Sequence, residues 1–244
     1  CIDRQAIVDA ATSGLGLIAH SFLPGEHPLY GSDRVVEWDY DPQAASALLE
    51  ETGWIDVDQD GVREADGVPG VRSGTVLQIL LLAPSADLAS QKVAEIVRVN
   101  LADCGIHVEI RWLEREVLMA PGPDGPVFGR QFDMALMTSR LDQAGLCQLY
   151  LSSQVPFGLA WEGVNAGGYR SEGYDAACEA ALEALPGSRD QRQYHELAQA
   201  IFSQELPSIP LFWWPRIALA RPHVLGFELN STAESDLWSA ETLD

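Results

Sequence analysis

The chain has 244 residues, 47% of them apolar and 21% charged, a composition that fits a globular protein able to bury a sizeable core as one large domain or two small ones. Fifteen Lys and Arg stand against 36 Asp and Glu, for a net charge of −21. So acidic a surface repels phosphate backbones and anionic headgroups, which argues against nucleic acid and against direct membrane-surface binding. No apolar run approaches the ~20 residues that a bilayer span requires.

The first residues, Cys1-Ile2-Asp3-Arg4, have neither the basic start nor the apolar core of a signal peptide. Cys1 would suit a lipidated mature terminus, but residues 3–12 already suit a helix, stopped by Gly14 and Gly16, so an internal segment is the better reading. Residues 19–41 form a long irregular stretch, and connections of that length usually wrap over another part of the molecule or carry function. Asp41 and Pro42 predict a helix start, with Ala45, Leu48 and Leu49 at helical spacing and Gly53 closing it.

Residues 75–82 (TVLQILLL) read as a buried strand. Asp87 caps the next predicted helix, which places Val93, Ile96, Val97, Leu101 and Cys104 on one face and ends at Gly105. Ile106 to Leu113 alternates as a half-buried strand. Strand, helix and strand make a βαβ unit, hence a parallel pair with a right-handed crossover. Residues 120–131 are a Pro- and Gly-rich loop, and 132–138 (FDMALMT) read as another buried strand. After an irregular stretch at 152–172, two helices are expected. One covers about 173–185, with Tyr174, Cys178, Ala181, Leu182 and Leu185 inward. The other covers about 189–205, opened by a Ser188–Gln191 capping box, with Tyr194, Leu197, Ala198 and Ile201 inward. The tail, 209–229, is apolar and aromatic with β character. The expected fold class is α/β, a mixed and mostly parallel sheet flanked by helices.

The four cysteines, at 1, 104, 147 and 178, form no CxxC pair and no dense disulfide framework. They read as buried small hydrophobes, with one disulfide in an oxidising compartment as the alternative. The five histidines show no zinc spacing. No Walker loop, GxSxG or GxGxxG opens a helix. Paired carboxylates in so acidic a chain carry no catalytic information, so no enzyme is expected. Asp56, Asp58 and Asp60, followed by Gly61, match the first half of a calcium loop. The twelfth position is Gly67 rather than Glu, so Glu64 or Asp66 would complete the shell. No cofactor is required, and Ca2+ is the one candidate. The alternative is an acidic turn leading into a hairpin.

Five stretches carry a resemblance: IDRQAIVDA at 2–10, YDPQAASALLEETGW at 40–54 with its DVDQDGVRE extension, VNLADCGIHVEI at 99–110, NAGGYRSEGYD at 165–175, and RDQRQYHELAQAIFSQELPSIPLF at 189–212. In this order they resemble the family 5 extracellular solute-binding proteins, which capture oligopeptides, dipeptides, nickel complexes or sugars for ABC importers. The resemblance implies the carboxy-terminal lobe of a periplasmic-binding-protein-like (type II) fold. Residues 1–208 would form that lobe, and 209–244 would return toward an amino-terminal lobe that precedes residue 2. It further implies hinge closure over the solute, docking on permease subunits, and an extracellular or periplasmic home, with a lipid anchor on the full-length protein.

In peptide-binding relatives an acidic residue shortly after the strand equivalent to 132–137 takes the peptide amino terminus, two places after a Trp. That register puts Met137 at the Trp and Ser139 at the acid, with Asp142 three residues on. A hydroxyl at Ser139 and the guanidinium of Arg140 would suit a polar neutral or anionic solute. Asn165 and Tyr169 match the family's Asn-containing loop near the cleft, against a structural Asx turn. Trp161, Trp213 and Trp214 are candidates for stacking on a ligand, against core packing, with the 213–214 pair expected to split. A peptide is the first expectation for the solute and a sugar the second. The rival readings are a sensory or chaperone-like module built on the same lobe and a secreted hydrolase.

Overall fold

The computed structural model describes residues 1–138, 146–158, 161–215, 217, 219, 221, 224–225 and 241–242. Helix α1 (Arg4–Thr12) is capped by Asp3, whose carboxylate accepts the Ala6 N–H at 2.9 Å. Strand β1 (Leu17–Ile18) follows, then an irregular strap to residue 41. Helix α2 (Pro42–Glu51) starts where Asp41 accepts from Ala44 N, with Pro42 inside its first turn. The antiparallel pair β2 (Trp54–Ile55) and β3 (Glu64–Ala65) flanks the acidic loop. Strand β4 (Gln78–Pro84), helix α3 (Leu88–Asp103) and strand β5 (His107–Leu113) come next, followed by the short α4 (Arg115–Leu118) and β6 (Met134–Ala135). Two 3-10 turns, Leu146–Tyr150 and Ser152–Gln154, lead to α5 (Glu172–Glu183) and α6 (Arg189–Glu205). Strand β7 (Phe212–Trp213) pairs antiparallel with β1, and β8 (Val224–Leu225) with β9 (Glu241–Thr242).

The main sheet has the order β5-β4-β6 and is parallel throughout, as the strand–helix–strand order requires. Its register sets Ile79 beside Val108 and Leu81 beside both Ile110 and Met134. Strand β4 is central because its apolar run serves two faces. Leu81 and Ala83 pack with Val93, Ala94, Val97 and Leu101 of α3 and with Ile7 of α1. Leu82 faces the other way, into a cluster with Leu118, Val127 and Ala166. The strand expected at 75–82 begins three residues later, because Val76 is drawn into an antiparallel bridge with Glu64. The one expected at 132–138 shortens to two paired residues.

Helices α5 and α6 pack as a hairpin around Tyr174, Ala177, Cys178, Ala198 and Phe202, joined by Phe22 from the strap. Phe22 meets Phe202 edge-on at 5.4 Å, and full burial of such a ring contributes about 1.5–3 kcal/mol. Helix α6 buries only part of the face its apolar pattern suggested: Ala198 is in the core and Ile201 packs against it. Tyr194 and Leu197 are exposed, while His195, Gln199 and Ser203 are buried beside Ala198 and Phe202. The strap supplies the reason. Gln199 donates to Leu29 O at 2.7 Å, Ser203 Oγ accepts from Val36 N, and Trp38 Nε1 donates to Ser203 O. Gly31 lies so close to α6 that a Cβ there would come within 2.7 Å of Glu196 Cγ. On α2, too, Leu48 stays exposed and only Leu49 packs against the core.

The cysteines form two disulfides, Cys1–Cys104 and Cys147–Cys178, and none is free. This corrects the expectation of unpaired small hydrophobes. The two readings share one signal, since three of the four cysteines are fully buried. Cys1 is joined to the end of α3, so its sulfur carries a crosslink rather than a lipid.

Candidate functional site

The carboxyl end of β6 is an edge. The strand pairs with β4 on one side, and among the described residues no strand pairs with its other side. Asp133 fixes the entry: its N–H donates to Leu80 O, and its carboxylate accepts from Leu80 N at 2.8 Å. Leu136 N continues the ladder to Leu82 O, and Met137 then emerges exposed. Ser139, Arg140 and Asp142 follow directly and lie outside the described residues.

Residues 161–169 form the neighbouring wall. Ala166 seats this loop on Leu82 of β4, with Ala135 of β6 packed against the same cluster. Asn165 is 2% exposed, and its amide is spent on Tyr169 of the loop and on Leu151 beneath it. It donates to Leu151 O at 3.0 Å and to Tyr169 O at 2.9 Å, and it accepts from Tyr169 N. This is the Asx-type closure that the sequence left as one of two readings. Trp161 is half-buried, with its ring lying across Gly122, where a Cβ would meet Cε3 at 2.3 Å. The Tyr169 hydroxyl donates to Glu205, and its ring meets Tyr174 edge-on at 5.6 Å. Burial first, and then the bond to Glu205, push the Tyr169 phenol well above its ordinary value, so it stays a neutral donor. Trp213 belongs to a different part of the fold, the β1–β7 ribbon, where it pairs with Leu17 and is half-buried, while Trp214 is exposed.

Two residues near this wall were not singled out from the sequence. Arg130 sits in the left-handed region at φ 58, and its guanidinium lies across Gly168, where a Cβ would fall 2.3 Å from Nη2. Gly168 itself has φ +70, so backbone and space both call for glycine there. Arg170 stacks over the exposed ring of Phe157 at 5.6 Å. Among the described residues neither guanidinium has a carboxylate within ion-pairing distance, in a protein where acids outnumber bases more than twofold. A left-handed arginine leaves no mark in sequence, which is why Arg130 escaped notice.

The acidic loop is the second group. Carboxylate oxygens of Asp56, Asp58 and Glu64 lie within 4.8 Å of one another. Asp60, expected in the same shell, turns its carboxylate to Val62 N at 2.8 Å and lies outside that group.

Residues 1–144 match the family described as bacterial extracellular solute-binding proteins, family 5 Middle. The chain is 26% identical over 234 residues to the di/tripeptide-binding protein 4 of Pseudomonas aeruginosa, covering 96% of this chain and 39% of that protein. Its fold is similar to that of the oligopeptide-binding protein AppA of Bacillus subtilis, solved with a nonapeptide, at TM-score 0.71 and 20% identity, covering 100% of this chain and 46% of that one. It is similar as well to the periplasmic binding protein MelB of Agrobacterium fabrum, solved with stachyose, at TM-score 0.70 and 19% identity, covering 86% and 32%. The chain thus spans less than half the length of these relatives. No described helix is long and apolar enough to cross a membrane. With its match running across more than half of its residues, the chain belongs to the bacterial extracellular solute-binding proteins, family 5.

Proposed function

We propose that the protein captures a small polar solute outside the membrane, a peptide in the first place, and delivers it unchanged to the permease of an ABC importer. The outer edge of β6, which no strand pairs among the described residues, carries this reading. An edge strand presents unpaired N–H and C=O groups, and an extended peptide backbone satisfies them as an added strand. The wall beside it supplies side-chain chemistry: Trp161 and Phe157 as apolar and aromatic surface, and Arg130 and Arg170, which pair with no carboxylate among the described residues, as cations for a carboxylate or another anionic group. Ser139, Arg140 and Asp142, which follow β6 in the chain, would add a hydroxyl, a cation and an acid at the same end. Trp213 would serve the remainder of the protein, toward which residues 209–244 would return.

A sugar is the second reading. It is favoured by the aromatic surface at Trp161 and Phe157 and by the stachyose-bound relative. Nothing in either reading calls for catalysis. The two disulfides suit an oxidising, extracytoplasmic compartment, and a lipid anchor would belong to the full-length protein.

Thermal-shift titration of the full-length protein tests the proposal, against di- to nonapeptides and oligosaccharides. A saturable upward shift with peptides is expected. A folded protein that responds to no member of either class would overturn it.

A further inference from the structure

We propose that the loop between β2 and β3 is a calcium site, with Asp56, Asp58 and Glu64 as its carboxylate ligands. Their oxygens gather within 4.8 Å, a spread that one ion reaches at the 2.3–2.6 Å of a Ca–O bond. A second, independent observation points to a cation as the ligand. Asp56 Oδ1 is sealed from solvent and, among the described residues, has no hydrogen-bond donor. Its partner oxygen, Oδ2, already accepts from Gly61 N at 3.1 Å. A carboxylate oxygen shut away from water without a proton or a cation is strongly unfavourable.

The protein's own cations do not fill the gap. Arg63 is the nearest in sequence, between the loop and β3, and it is committed elsewhere. Its Nε donates to Cys104 O at 2.8 Å, its Nη1 to Trp54 O at 2.9 Å, and its guanidinium faces Glu50. Among the described residues no Lys or Arg pairs with Asp56, Asp58 or Glu64.

The donor set selects the ion. It is oxygen only, with no Cys or His in the group, which favours a hard cation. Two carboxylates on a short, irregular loop and a third at the start of β3 suit the flexible shell of calcium, with water completing it, better than the strict octahedron of magnesium. The site is not an EF-hand. Glu64 stands at the ninth position of the loop where an EF-hand often ligates through water, and the twelfth is Gly67. Since Arg63 clamps the base of this loop onto Cys104, the ion would brace the end of α3 and its disulfide to Cys1. Exposed three-carboxylate sites of extracellular modules hold calcium at about 10⁻⁴–10⁻³ M. This inference does not depend on the identity of the solute.

Terbium luminescence on the chelator-treated full chain tests it, with Trp54 as the sensitiser and CaCl2 or MgCl2 as competitor. The expected result is a saturable signal displaced by Ca2+, with Mg2+ at least tenfold less effective. Asp58→Asn should weaken it at least tenfold, and Asp124→Asn, a remote exposed acid, should leave it unchanged. Asp58 is exposed, so its variant decides even if Asp56→Asn fails to fold. A signal that does not saturate, that Ca2+ does not displace, or that survives Asp58→Asn at wild-type strength would overturn the proposal.

Discussion

Replacing Cys147 and Cys178 together by alanine should be among the most damaging changes this fold can receive. The disulfide joins residues 31 apart, and closing a loop of that length removes about 12 cal/mol/K of chain entropy from the unfolded state, about 3.7 kcal/mol at 25 °C. Both sulfurs are fully buried beside Tyr174, whose hydroxyl donates to Cys147 O at 2.9 Å, so the two lost sulfurs also leave unfilled space. A total loss of about 3–5 kcal/mol is a large share of the ~5–15 kcal/mol that holds a domain together. Urea unfolding of the oxidised protein and of the C147A/C178A variant, compared at equal slope, measures it. Thiol titration of the native, unreduced chain provides the control and should find no free thiol. A loss below about 1 kcal/mol, or four titratable thiols in the native protein, would refute the reasoning.

Arg63→Met should cost about 3 kcal/mol in the same assay, because the carbonyls of Cys104 and Trp54 lose a charged donor in a buried setting. Glu50→Gln should cost under about 1 kcal/mol, since its carboxylate is 61% exposed and the pair gains little in water. A larger loss for Glu50→Gln than for Arg63→Met would mean that the ion pair, not the carbonyl clamp, is what counts. Stability should also fall in mild acid. Burial lowers the pKa of His20, His27 and His195, with His27 adding to the effect at His195. The unfolded chain therefore binds more protons below the ordinary value of about 6.5. The histidine contribution is complete above that pH and is lost as pH falls from it toward the lowered folded-state values. Urea midpoints measured between pH 7.5 and 5 should drop, and His195→Gln should flatten the drop. An unchanged slope in that variant would rule His195 out as a source.

Much of the scaffold was legible because its signals are local. Asp41, Asp87 and Ser188 each accept the backbone N–H that an N-cap residue should take, and the βαβ order gave the parallel pairing of β4 with β5. What stayed hidden depends on distant partners. The inward face of α6 is polar because Leu29, Val36 and Trp38, about 165–170 residues earlier, satisfy Gln199 and Ser203. The apolar pattern of the helix therefore held for Ala198 and Ile201 and failed for Tyr194 and Leu197. Cysteine pairing was unreadable, since four cysteines allow three pairings and spacing selects none of them. At the candidate site, the sequence offered Asn165 both as a cleft residue and as the closure of its own loop, and only the bonds to Tyr169 decide for closure. The sequence did not mark the arginine that lies across Gly168, because a left-handed φ at a non-glycine residue has no composition signature.

The central claim is that solute lies along the open edge of β6 and against the 161–169 loop. Hydrogen exchange of the full-length protein, with and without a saturating peptide selected by thermal shift, addresses it most directly. Slowed exchange of the backbone amides at 134–138 and of the 161–169 loop is expected once peptide is bound. Protection confined to other parts of the chain, with both segments exchanging as they do in the free protein, would contradict it.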